Sequence, residues 1–241
     1  MQRRTELWIV GAFVILVLVI AIVAGVFGGS TPATPSFNST TVPAISSADH
    51  VRGDAASSVS VIEYGDFQCP ACGAYEPMVE QLTRQYGSRV AFVFRNFPLV
   101  QVHQDAQIGA QAAEAAALQG KYWEMHDLLY QKQATWSAEP AASVVAKYFD
   151  GYAKSLGLDV AKFDADINSD AVKGKIQTDV ASANAAQVDH TPTFFIDLKQ
   201  IPNPQSTEEF TKAIDAALGA TATSTTSTTT ASQASSSQAA Q

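Results

Sequence analysis

The sequence predicts an α/β domain, a mixed β-sheet carrying a helical insertion, behind one N-terminal membrane-spanning helix. Three observations carry this. Leu7 to Phe27 is an uncharged apolar run of about 21 residues, long enough at 1.5 Å rise per residue to cross ~30 Å of hydrocarbon. Strand-like runs flank a helix-like one after residue 58, then return only at residue 193, with helical patterning between. The chain's two cysteines, Cys69 and Cys72, sit where the first of these strands meets the first helix.

Taken in order, residues 1–6 contain Arg3 and Arg4, and no Lys or Arg follows until Arg52. The positive-inside rule therefore places 1–6 in the cytoplasm, 7–27 as the transmembrane helix, and everything after Gly28 outside the membrane. A cleaved signal peptide, with the domain secreted, is the competing reading. Its apolar core is usually about 7–15 residues and precedes a small-x-small site, which Val26-Phe27-Gly28-Gly29 does not supply. Residues 28–49, rich in Ser, Thr and Pro, read as a flexible linker, and 219–241, almost all Ala, Ser, Thr and Gln, as a disordered tail. That leaves 50–218 as a single folded domain with length enough for a proper core.

Within it, 58–64 is a strand. Pro70 suits the first position of a helix over 70–86, where its missing N–H is harmless; Pro77 is expected to kink that helix and Gly87 to end it. Residues 89–97 form a second strand. Helices are expected over 103–119, 122–133, 141–156, 160–169 and 171–187, the insertion occupying about 100–187, with Gly120, Pro140, Gly157 and Asp170 at or near the joints. Strands return at 193–198 and 199–201. A closing helix spans 206–218, with Ser206 as N-cap and Glu208 and Glu209 in its first turn. The β-α-β unit implies parallel strands, and the returning hairpin adds antiparallel ones.

Charge narrows the partners. Fifteen Lys and Arg stand against 23 Asp and Glu, a net of −8, which argues against nucleic acid and anionic lipid surfaces. Arg52-Gly53-Asp54 spells an adhesion tripeptide and is read as a chance occurrence.

The chemistry is in Cys69-Pro70-Ala71-Cys72. At a helix N-terminus the unpaired backbone N–H groups and the positive end of the helix dipole favour a thiolate at the first sulfur. Thiolate is the reacting species, and a thiol of pKa ~8.5 is only about 3% ionised at pH 7. Cys69 is therefore the expected nucleophile and Cys72, one turn on, the resolving thiol. A purely stabilising bridge is a weak alternative, because closing so short a loop restrains the unfolded chain little. No metal is expected: Cys69, Cys72 and His190 would make an incomplete zinc set, and haem attachment needs a histidine where Gly73 stands. His103 and His126 are expected to pack helices, with Tyr122 and Trp123 as core anchors, and Asp66 and Gln68 to shape the turn before Cys69.

The stretch Val61-Ile62-Glu63-Tyr64-Gly65-Asp66-Phe67-Gln68-Cys69-Pro70-Ala71-Cys72 resembles the active-site segment of DsbA-like thiol:disulfide oxidoreductases, which have a thioredoxin-like fold. Gly120-Lys121-Tyr122-Trp123-Glu124-Met125-His126-Asp127 is similar to part of the helical insertion in membrane-anchored members. Thr191-Pro192-Thr193-Phe194-Phe195-Ile196 resembles the family's cis-proline loop and strand, and Asn203-Pro204-Gln205-Ser206 fits as well. The likeness spans about 50–218. It implies that Pro192 is cis and packs against the disulfide, and that the backbone of Thr191 pairs with bound substrate as an added strand. It also implies that Glu63, six residues before Cys69, is a buried acid able to exchange a proton during catalysis.

The expected function is therefore an extracytoplasmic thiol:disulfide oxidoreductase that needs no cofactor. It would pass its Cys69–Cys72 disulfide to cysteine-containing exported proteins. A membrane partner of the DsbB or vitamin-K-epoxide-reductase type would regenerate it. Two alternatives use the same surface: a disulfide reductase or isomerase, and a non-catalytic adaptor holding exported chains. The Pro-Ala dipeptide lacks the histidine of the most oxidising relatives, so an oxidant of moderate strength is expected.

Overall fold

A computed structural model of the chain describes residues 42–139 and 141–221. The expected cytoplasmic N-terminus (1–6), the transmembrane helix (7–27) and most of the linker and tail lie outside the described residues. Among the described residues, no helix is long and apolar enough to cross a membrane.

The elements are strands β1 (His50–Gly53), β2 (Ser60–Gly65), β3 (Ala91–Asn96), β4 (Thr193–Ile196) and β5 (Lys199–Ile201), in spatial order β1-β3-β2-β4-β5. Parallel β2 and β3 are joined through helix α1 (Pro70–Tyr86), while β4 runs antiparallel to β2 and β5 antiparallel to β4. Both expected pairing modes are present. Helix α1 runs through Pro77 without interruption.

Strand β1 was not expected. It pairs antiparallel with β3, and Gly53 ends it at φ +97°, a backbone conformation that L side chains rarely adopt. A Cβ there would also meet the Val90 carbonyl oxygen. Arg52 of the tripeptide is engaged with Asp127 through two 2.8 Å hydrogen bonds.

The linker ends earlier than the composition suggested. Val42 is fully buried beside Ile62 and Val93, and the Asp49 carboxylate pairs with the Arg95 guanidinium at 2.7 and 3.1 Å. Arg95 also donates to the carbonyls of Pro43 and Ala44, so a buried cation holds residues 43–49 against the sheet. Polar composition disguised a segment whose backbone is the ligand of that cation.

The insertion contains α2 (Ala106–Ala117), α3 (Tyr122–Gln131), the short α4 (Gln133–Trp136), α5 (Asp150–Ser155), α6 (Val160–Asp166) and α7 (Asp170–Ala185). The helix expected over 141–156 is divided: Ala141–Val144 leads into a π-helical turn, Val145–Phe149, before α5. Helix α8, over 207–221, is the last element among the described residues and takes three residues from the expected tail. Ser206 Oγ accepts the Glu209 N–H at 3.2 Å, while the Glu209 carboxylate accepts the N–H of Gln205 at 2.8 Å.

Alternation along the strands sends side chains to opposite faces. Val61, Phe92, Phe194 and Ile196 pack with Leu82 and Tyr86 of α1 and Phe210 and Ile214 of α8. Ile62, Tyr64, Val93 and Phe195 pack with Ala183 and Ala186 near the end of α7. The insertion has its own core around Trp136, Phe149 and Phe163, and Phe67, Cys69 and Cys72 belong to it. The cysteines thus sit on the seam between sheet and insertion.

Candidate active site

Cys69 is the N-cap of α1, extended at φ −67° and ψ 119°, and Pro70 opens the helix. Both cysteines are free thiols and buried, Cys69 at 7% exposure and Cys72 at 1%. The Thr191–Pro192 bond is cis, and the Cys69 Sγ lies 3.4 Å from the Thr191 carbonyl oxygen. Asn203 Nδ2 donates to the Pro192 carbonyl at 2.7 Å and holds the loop from behind. Cys69, Cys72, Thr191 and Pro192, expected together from sequence, are brought to one place.

The two thiols differ sharply. Cys69 is pulled down to about 5, first by a hydrogen bond from the Cys72 thiol, then by Thr191 and the N–H groups of Cys72 and Ala71, against the opposing effect of burial. As a thiol, Cys69 donates to the Thr191 carbonyl. The Thr191 hydroxyl is buried without a hydrogen-bond partner among the described residues and is a donor available to the thiolate. Burial, the bond to Cys69 and the nearby Glu63 push Cys72 well above its ordinary value. One sulfur is ionised at neutral pH and its neighbour keeps its proton.

Glu63 lies on β2 directly opposite Phe94 of β3 and Phe194 of β4. Surrounded by these rings, it is 5% exposed, and burial raises its carboxyl well above the usual range, assisted by Glu76 and Cys69. It is therefore a neutral acid. Sequence reasoning missed its companions. Glu76 of α1 is raised to about 8 by burial and by Asp127, and His126 sits among Phe67, Phe94, Trp123 and Tyr130 at ring distances of 4.8–5.4 Å. Burial lowers His126, so the ring is neutral. Its Nδ1 is 3.0 Å from Asp127 Oδ1, and its Nε2 is buried without a partner among the described residues. Glu63, Glu76 and His126 line a common cavity of about 20 Å³, room for roughly one water.

Glu76, His126 and Asp127 are also the one group among the described residues whose ligand atoms converge, within 4.8 Å. Arg52 already supplies a cation to both Asp127 oxygens. His190 is half-exposed and bonded to Asp189 at 2.7 Å.

The turn before Cys69 is built on Asp66. Its buried carboxylate accepts the N–H groups of Gln68 and Leu99 at 2.8 and 3.0 Å and meets His103 Nδ1 at 2.7 Å, while its carbonyl accepts the Cys69 N–H at 3.0 Å. His103 is thus a partner of Asp66 rather than a helix-packing residue. Gln68 reaches the insertion, donating to Asp105 and to the Ser137 carbonyl and accepting the Asp105 N–H at 2.6 Å.

Residues 46–216 match the model of the thioredoxin family. The chain belongs to that family. Among solved structures, this thioredoxin-family domain is similar to Wolbachia pipientis alpha-DsbA1, at 20% identity and TM-score 0.65, covering 76% of this chain and 96% of that one. It is also similar to a thioredoxin-like oxidoreductase from Silicibacter pomeroyi, at 25% identity and TM-score 0.60, covering 72% and 94%. Among curated relatives, a protein named Na(+)/H(+) antiporter NhaA 3 of Salinispora tropica is 41% identical over 176 residues, 73% of this chain. The match covers 26% of that antiporter, so the chain spans about a quarter of the length of the curated relatives it matches.

Proposed function

We propose that the protein is an extracytoplasmic thiol:disulfide oxidoreductase that introduces disulfide bonds into exported proteins through Cys69 and Cys72. The observation that carries the reading is the split between the two thiols, Cys69 at about 5 and Cys72 well above its ordinary value. Stabilising one thiolate favours the reduced pair, which makes the disulfide form an oxidant.

In the forward direction a client thiolate attacks the Cys69 sulfur of the Cys69–Cys72 disulfide. A client–Cys69 bond forms, and Cys72 leaves as a thiolate that takes a proton from neutral Glu63. A second client thiolate then attacks the client sulfur of the mixed disulfide and expels Cys69, which remains a thiolate. The client loses two electrons and the enzyme pair gains them. If the second client thiol is slow, Cys72 attacks Cys69 and returns the client unchanged. The Thr191 backbone would align the client as an added strand.

A membrane oxidant of the DsbB or vitamin-K-epoxide-reductase type would restore the disulfide. The expected anchor at 7–27 would keep the domain beside that oxidant, and relatives named as antiporters are consistent with a membrane setting. The deciding experiment is redox equilibration of the pair with glutathione. A potential between those of thioredoxin and of the strongest oxidases, about −270 to −120 mV, supports an oxidant; one as low as thioredoxin's points to a reductase.

A further inference from the structure

Gln133, the first residue of α4, lies 64 residues from Cys69 in sequence, yet its side chain ends on the catalytic turn. Its Nε2 donates to the Phe67 carbonyl at 2.8 Å and to the Cys69 carbonyl at 2.9 Å. Only the amide nitrogen can occupy that place, because the amide oxygen would face two acceptors. The Cys69 carbonyl also accepts the first helical N–H, from Gly73, at 3.2 Å. The Gln133 amide passes so close to Gly73 that a Cβ there would lie 2.6 Å from Oε1. The absence of a side chain at residue 73 is what lets Gln133 reach the turn.

These contacts bear on the sulfur. The Cys69–Pro70 peptide has no N–H, so nothing on its other edge fixes its rotation. The orientation of its carbonyl sets ψ at the N-cap, and hence where Sγ sits relative to the N–H groups of Ala71 and Cys72. A carbonyl left free to turn toward the sulfur would set its negative end against the anion. Two donors on the Cys69 oxygen hold it away.

We infer that Gln133 is a positioning residue for the Cys69 thiolate, reaching from the insertion through the space left by Gly73 to lock the N-terminus of α1. This rests on the redox role proposed above. It gives the insertion a part in setting the redox potential through one amide.

The test uses the full chain in three variants, Gln133→Met, Gly73→Ala and the two combined. Methionine keeps the length and removes the donor. Alanine leaves Gln133 intact but obstructs it, at a helical position where alanine otherwise favours the helix. Cys69 ionisation is followed by thiolate absorbance against pH, and the potential by equilibration with glutathione. Each single variant is expected to raise the Cys69 pKa by about one unit and to shift the glutathione equilibrium about tenfold toward the disulfide. The double variant should shift no further than Gln133→Met alone, since the obstruction then has nothing to displace. A folded Gln133→Met protein with unchanged Cys69 ionisation and potential overturns the inference, whatever happens to its melting temperature. Should Gln133→Met fail to fold, Gly73→Ala decides by the same criterion. The parent protein separates the two readings: an ordinary Cys69 pKa there overturns the redox proposal itself, whereas a low value untouched by the variants overturns only the role of Gln133.

Discussion

The Thr191 carbonyl oxygen lies 3.4 Å from the Cys69 sulfur across 122 residues of chain. One loop thus meets the reacting atom with an acceptor for the thiol and, through its hydroxyl, a donor for the thiolate. Thr191→Val keeps the shape and the carbonyl but removes the hydroxyl. The Cys69 pKa should rise while the carbonyl contact persists, as a pH titration of thiolate absorbance would show; no change would mean that the helix end and Cys72 suffice.

Cys69→Ser should abolish disulfide exchange. Cys72→Ser should instead accumulate a covalent client–Cys69 species when its Cys69 thiolate attacks a client disulfide and expels the other client thiol, because the enzyme thiol that would release it is gone. Non-reducing electrophoresis with a disulfide-bonded client peptide distinguishes them. If Cys69→Ser retains full function, the protein acts as an adaptor.

The depressed thiol predicts how stability varies with pH. Cys69 titrates at about 5 when folded and at ~8.5 when unfolded. Between these values the folded reduced protein binds fewer protons than the unfolded chain, so this group's contribution is fully present above pH ~8.5 and lost as pH falls through about 5. The disulfide form lacks the group. Denaturant unfolding of both forms at pH 5 and pH 8 should show the reduced form gaining on the oxidised one at the higher pH.

Glu63 has the opposite sign. Its folded pKa is raised well above the unfolded ~4.3, so the folded state holds a proton the unfolded chain has lost, and stability falls as pH rises toward the folded pKa. Glu63→Gln should therefore stabilise the fold at pH 7 while slowing exchange and flattening its pH profile. An unaltered rate and profile would remove Glu63 from the mechanism.

Asp49→Ala should cost about 3–5 kcal/mol, the usual penalty for leaving a buried cation unpaired. Arg95 is 3% exposed, and Asp49 carries its only carboxylate hydrogen bonds among the described residues. A loss under 1 kcal/mol in denaturant unfolding would return residues 43–49 to the linker.

Local chemistry was legible along the chain. The apolar strand runs at 58–64 and 193–198, the proline opening the helix at residue 70 and the serine capping the helix after residue 206 depend on neighbours a few positions away, and the structure places elements within or beside those signals. Cys69 and Cys72 declared themselves by spacing. Strand β1 and residues 42–49 did not, because polar residues there are held by Arg95 and by edge pairing with β3 rather than by an apolar pattern of their own. The neutrality of Glu63, the convergence of Glu76 and His126 on its cavity and the reach of Gln133 to the Cys69 turn were likewise decided in three dimensions. A pKa depends on burial and on charges a few ångströms away, and those distances exist only once the insertion has closed over the sheet.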